Sequence, residues 1–149
     1  MQAGPGTYAL ILRCTSRAAA TVGRWGELRL EPGFYIYVGS AFGPGGVKAR
    51  VLRHCRASAS KHWHIDYIRE FVRPVGAWYS HQADHLEHDW ATMVADMPGV
   101  TAIAGFGCTD CYCRSHLFRT HTAPDFSRLA ELAGNQVERW SYDSTILIA

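Results

Sequence analysis

The sequence predicts one α+β domain, a small central antiparallel sheet flanked by helices. Three observations lead there. Strand-like runs crowd residues 1–40, before any helical period begins. From residue 46 onward, helical and strand-like stretches alternate. A chain of 149 residues, 48% hydrophobic, can build one sizeable core and has no need of a second.

Thr7 to Cys14 reads as a strand buried on both faces. Residues 15–24 are small and polar and read as a loop. Trp25 to Leu30 is a short second strand, with Trp25, Leu28 and Leu30 apolar. Pro32 and Gly33 turn the chain into a third strand, Phe34 to Val38, which is aromatic and β-branched. These three strands are expected to share one antiparallel sheet. Gly39 ends the run, and Gly43, Pro44, Gly45 and Gly46 allow a sharp turn. A helix follows over 46–56. Val47, Val51, Leu52 and Cys55 lie on one face, with Arg53 opposite and Arg50 and His54 at the flank. A helix N-terminus opening from glycines suits an anion.

A second helix is expected from Lys61, with Ile65, Ile68, Phe71 and Val72 inward, until Pro74 stops it. Val75 to Ser80 reads as a strand. Residues 83–97 form the clearest helix: Leu86, Trp90, Met93, Val94 and Met97 share a face, and Asp84, His85, His88 and Asp96 fall away from it. Glu87 sits at the border, where a carboxylate can face a site. Pro98 and Gly99 end this helix. A strand over 100–103, a Gly105-Phe106-Gly107 turn, an apolar Leu117-Phe118 pair, a short helix over 124–133 and an apolar end at 145–149 complete the chain.

Charge alone does not announce a nucleic-acid binder: Lys+Arg number 15 against 13 Asp+Glu, a net charge of +2. Any basic surface must come from clustering. Lys48, Arg50, Arg53, Arg56, Lys61 and Arg69 do cluster, interleaved with Trp63 and Tyr67, as a groove for phosphates and stacked bases would require. The ordinary reading of such a stretch is a solvated helix face. The 5 cysteines are odd in number and bunched late in the chain, unlike a secreted disulfide framework. The start of the chain has no leader-like pattern, and no run approaches a membrane span. A cytoplasmic location and no membrane association are expected.

Two constellations carry chemistry. The first pairs tyrosine with glycine twice, in Gly6-Thr7-Tyr8 and Tyr37-Val38-Gly39, and the arginine helix follows the second pair. The second is Cys108-x-x-Cys111-x-Cys113-x-x-His116, whose thiolates and imidazole could close a tetrahedral Zn²⁺ site. Its other readings are small half-buried cysteines in a turn, or a redox pair of Cys111 and Cys113.

In the first constellation the chain resembles the GIY-YIG nuclease superfamily. Gly6-Thr7-Tyr8 and Tyr37-Val38-Gly39-Ser40 stand where the two tripeptides would. Arg50 stands at the helix arginine, with His54 one turn on, and Glu87 at the metal-binding glutamate. Asp110 is nearest to the superfamily's late asparagine. Residues 9–36 make a longer excursion than the usual hairpin, with the strand 25–30 inside it. More closely, residues 6–118 look like the DUF123 family, sometimes fused to endonuclease III-type DNA glycosylases. The matching stretches are Gly6-Thr7-Tyr8, residues 37–46, His62-Trp63-His64-Ile65-Asp66-Tyr67, and residues 105–118. Residues 1–118 would then be the family domain, and 119–149 an extension packed on it.

The resemblance implies a metal-dependent endonuclease that hydrolyses DNA phosphodiesters during repair or processing, with DNA favoured over RNA and a repair protein as a partner. Arg50 would stabilise charge on the pentavalent phosphate. Glu87 would hold Mg²⁺ or Mn²⁺. Tyr8 would take a proton from the attacking water, which Tyr37 would hold. A phenol titrates near pH 10, so a neighbouring cation must lower it. His54, His62 or His64 could serve instead as base or relay. Lys48, Arg53, Arg56 and Lys61 would contact nucleic acid. The rivals are a DNA-binding module of the same fold that does not cut, and a zinc-bearing interaction module.

Overall fold

A computed structural model describes residues 1–56, 61–108 and 112–142. Its elements are strands β1 (Gly6–Cys14), β2 (Ala18–Val22), β3 (Gly26–Leu30) and β4 (Gly33–Ala41), helix α1 (Gly46–His54), strand β5 (Arg73–Ser80), helix α2 (Glu87–Ala95), strands β6 (Thr101–Ala102) and β7 (Leu117–Thr120), helix α3 (Phe126–Leu132) and strand β8 (Glu138–Ser141). Six strands form one sheet in the order β6-β7-β4-β1-β5-β8, every pair antiparallel. The α+β class is as the sequence predicts.

β1 is central because its side chains are apolar on both faces, and every position but Arg13 is buried. It pairs with β4 along its whole length, from Gly6 opposite Ala41 to Cys14 opposite Gly33. This register sets Tyr8 against Gly39 and Leu10 against Tyr37, so both phenols project from one face. α1 packs on that face through Val47 and Val51, beside Ile65, Ile68 and Phe106. The other face carries Ala9, Ile11, Ile36, Val38, Trp78 and Phe118, and is covered by Trp90, Ala91 and Val94 of α2 and Leu129 of α3.

Several local expectations are corrected. Residues 18–22 are a strand, not loop. Trp25 belongs to a short 3-10 turn, and β3 begins at Gly26. β3 does not join the main sheet; it pairs with β2 as a separate hairpin. The alternation explains this: Ala20, Val22, Leu28 and Leu30 all turn inward, so a two-stranded flap lays one apolar face on the core.

The helix expected from Lys61 is only a 3-10 turn, His64–Tyr67. The Asp66 carboxylate accepts from the backbone N–H groups of His62 (2.8 Å) and Trp63 (3.0 Å), tying the chain into a local turn. Pro74 lies inside β5, beside a register shift between Ile11 and Leu12 of β1. It has no N–H to give the ladder, and a strand's opening is where that is tolerated. The helices expected over 83–97 and 124–133 are shorter at both ends, and the strand over 100–103 spans two residues. β8 was not anticipated; it extends the sheet beyond β5. The apolar end at 145–149 lies outside the described residues.

The N-terminus of α1 is not an open anion site. Gly46 N–H donates to the Gly43 carbonyl (3.2 Å), Val47 to Gly4 (3.0 Å) and Lys48 to Gln2 (3.1 Å). The leading segment of the chain thus satisfies the donors an anion would need. The other end of the helix is held by Arg69, expected in the basic cluster. Its guanidinium donates to the carbonyls of His54, Cys55 (3.2 Å) and Val72 (2.6 Å), a cation seated at a helix C-terminus.

Candidate active site

The sheet and α1 bring Tyr8, Tyr37, Arg50 and His54 together, and α2 adds Glu87. Tyr8 lies fully buried across Gly39, where a Cβ would stand 2.4 Å from the phenol oxygen. The motif glycine is therefore the floor under the tyrosine ring. The Tyr8 hydroxyl is 2.8 Å from His54 Nε2. Tyr37 meets the His54 ring edge-on, at 5.8 Å between centroids.

His54 is buried, with Nδ1 4.0 Å from Asp66 Oδ1. The tautomer that suits Asp66 carries its proton on Nδ1, so Nε2 accepts from Tyr8. Burial, only partly offset by the Asp66 charge, pushes the His54 pKa down to about 3. Burial also raises Tyr8 and Tyr37 well above the phenol range. The Glu87 charge pushes both phenols further up, and the Arg50 guanidinium pulls both down. Carboxylate and cation thus both act on the tyrosine pair.

Arg50 Nη1 donates to the Ser40 carbonyl (3.1 Å), and its guanidinium lies 4.4 Å from the Trp63 ring centroid. Ser40 follows Gly39 and faces the α2 side of the sheet. From there its Oγ donates to Glu87 Oε2 (3.4 Å), while Glu87 Oε1 lies 3.7 Å from His116 Nδ1. Glu87 opens α2, where the unpaired N–H groups of a first turn favour a carboxylate.

The remaining predicted residues lie elsewhere or do other work. His62 is exposed beside Trp63. His64 accepts the Gly107 N–H (2.9 Å) and packs on Phe106, so it anchors the distant turn at 105–107. Arg53 is paired with Asp66 at 3.1 Å and also lies over Trp63, at 4.4 Å. Lys61 covers Tyr67 at 5.1 Å. The two expected stacking platforms therefore already carry cations. Lys48 and Arg56 are exposed.

Of the expected zinc set, Cys111 and also Asp110 lie outside the described residues. Cys108 donates to the Phe106 carbonyl (3.4 Å). Cys113 and His116 do come together, joined by His88. Asp66 and His88 are the residues that sequence reasoning passed over. Asp66 follows His62 and Trp63 by four and three residues, a spacing that signals a local side-chain turn. His88 has no such signal, being 25 positions from its nearest partner, Cys113.

The pKa of His54 has a consequence for stability. Its folded value, about 3, lies below the ordinary 6.5, so the unfolded chain binds the proton more readily. Stability is full above pH 6.5 and falls as the pH drops toward 3. His116, also lowered by burial, adds in the same direction. Asp66, held below the ordinary carboxylate range by Arg53 and two backbone N–H groups despite its burial, adds its loss only below about pH 4. The urea midpoint should therefore fall steadily between pH 6.5 and 4.5. A flat midpoint over that window would mean that folding does not lower the pKa of either histidine.

Fold and site together define a small α+β domain with a tyrosine–arginine–glutamate cluster on a central strand pair. The chain matches the family described as Domain of unknown function DUF123 over residues 7–139, and it belongs to that family. No curated protein and no solved structure matches it.

Proposed function

We propose that this domain is a GIY-YIG-type, metal-dependent endonuclease that hydrolyses DNA phosphodiesters in repair or processing. The observation that carries the reading is that Arg50 and Glu87 meet at Ser40, one through its carbonyl and the other through its hydroxyl, at the end of the strand pair that carries Tyr8 and Tyr37. The donors at Glu87, a half-buried carboxylate beside the Ser40 hydroxyl, are hard oxygens, which suit Mg²⁺ or Mn²⁺ with most of its waters kept. Glu87 would hold such an ion, which would supply Lewis-acid polarisation of the phosphate and charge neutralisation at the leaving oxygen.

The chain's own residues divide the remaining work. Arg50, pinned by the Ser40 carbonyl and the Trp63 ring, presents a forked cation to the charge that gathers on phosphorus-bound oxygens. Tyr37 orients the attacking water. Tyr8 passes its phenolic proton to His54 Nε2, 2.8 Å away, as it takes the proton of the attacking water, so the charge ends on the imidazole. His54 fixes the Tyr8 hydroxyl, with Asp66 behind the imidazole to favour positive charge there. Lys48 and Arg56 are the exposed cations on the approach to this helix.

The test is a nicking assay on supercoiled, single-stranded and branched DNA with Mg²⁺, Mn²⁺ or chelator. Cutting that needs metal and disappears in Glu87→Gln is the expected result. A second reading, a DNA-binding module that does not cut, draws on the burial of both phenols, which raises their pKa and keeps them protonated, so neither is available as a base in the free protein. Salt-dependent binding without nicking would select it. Neither binding nor nicking would sink both.

A further inference from the structure

Beside Glu87 lies a second donor set of different chemistry. His88, in the first turn of α2, faces Cys113 and His116 on the segment that leads into β7. The ligand atoms of the three all lie within 4.8 Å of one another. His88 Nδ1 is 3.0 Å from Cys113 Sγ, and the His88 and His116 rings meet edge-on at 5.6 Å. In a tetrahedral zinc site, neighbouring donor atoms stand about 3.3–3.6 Å apart, given the usual bond lengths. Small side-chain adjustments would bring the three donors to that spacing.

We infer that His88, Cys113 and His116 bind a zinc-class transition-metal ion that ties α2 to the chain before β7. One thiolate and two imidazoles favour such an ion over Mg²⁺ or Ca²⁺, which prefer oxygen. The His116 backbone is held on both sides: its N–H donates to the Phe106 carbonyl (2.9 Å) and its carbonyl accepts from Val38 (2.9 Å). This ligand is therefore placed before any metal arrives. Glu87, 3.7 Å from His116 Nδ1, is the carboxylate partner that metal-bound imidazoles commonly carry. On binding, the Cys113 thiol loses its proton to solvent and the thiolate takes the metal bond. Three protein ligands leave the fourth position to water or a substrate oxygen. The site differs from the Cys108-to-His116 set that the sequence suggests, because His88 enters and Cys108 does not.

This inference does not rest on the nuclease reading, because metal binding is measured without DNA. The full chain would be stripped with chelator and titrated with Zn²⁺, and separately with Co²⁺. One equivalent of Zn²⁺ should bind and raise Tm by about 5–10 °C at a hundredfold excess over Kd. Co²⁺ should give intense tetrahedral ligand-field bands and a sulfur-to-metal charge-transfer band. Cys113→Ser should remove the charge-transfer band, whereas Cys108→Ser should keep it. His88→Ala, an exposed position that should leave the fold intact, should weaken Zn²⁺ binding at least tenfold and abolish the Tm rise. Weak octahedral Co²⁺ bands, a charge-transfer band that survives Cys113→Ser, or unchanged affinity in His88→Ala would each overturn the assignment.

Discussion

Gly39→Ala is expected to cost about 3–5 kcal/mol of folding stability. The new Cβ would stand 2.4 Å from the Tyr8 hydroxyl oxygen and 2.5 Å from Cζ of the same ring. Tyr8 has nowhere to retreat. It is fully buried, and its hydroxyl is held 2.8 Å from His54. Either β4 shifts against β1 or the phenol leaves the imidazole, and each route disturbs a close-packed interior. Urea denaturation would give the loss. A double-mutant cycle with Tyr8→Phe tests the cause. The bond to His54 can be lost only once, so the double variant should be more stable than the sum of the singles by about 1–2 kcal/mol. Strict additivity would show that the added methyl acts somewhere other than the Tyr8–His54 contact.

On the nuclease proposal, Arg50→Ala should lower the cleavage rate by about 10²–10³-fold. The guanidinium is already pinned over Trp63 and against the Ser40 carbonyl, so it need not reorganise when charge develops on phosphate. The same contacts contribute little to folding, and the variant should lose only about 1–2 kcal/mol of stability. Arg50→Lys keeps the charge but not the fork or the stacked plane, and should recover only a small part of the rate. Single-turnover cleavage, with DNA affinity measured in parallel, separates a lost catalytic cation from a lost phosphate contact. A rate within a few-fold of the parent would remove Arg50 from the chemistry.

The strands that carry this site were legible because β1 and β4 are apolar on both faces, a pattern that central strands leave in sequence. β2 was missed because Ala18, Ala19 and Ala20 have weak strand preference; its pairing with β3 and its packing on the core decide the matter. β8 was missed because Glu138, Arg139 and Ser141 are exposed and polar, as an edge strand permits. The stripe of Ile65, Ile68, Phe71 and Val72 suggested a helix, yet the carboxylate of Asp66 competes for the backbone donors. At the site, the tyrosine–glycine pairs and Arg50 could be read from motif spacing. The company of His88 with Cys113 and His116 could not, because the fold alone brings them together.

The β2–β3 flap also bears on how quickly the chain can find its structure. β1 and β4 make the longest strand pair, yet residues 15–32 lie between their joined ends at Cys14 and Gly33. Closing an unstructured loop of that length costs about 2.5 kcal/mol of chain entropy. The flap pairs locally, Val22 against Gly26, and a hairpin of this kind zips in about 1–10 μs. Once zipped, it joins Ala18 to Leu30, and only a few residues on each side remain to be ordered. The residual closure cost then falls to about 1.4 kcal/mol, which would speed pairing of the central strands by up to roughly sixfold. The excursion that separates the two tyrosines along the chain thus becomes a shortcut for bringing them together.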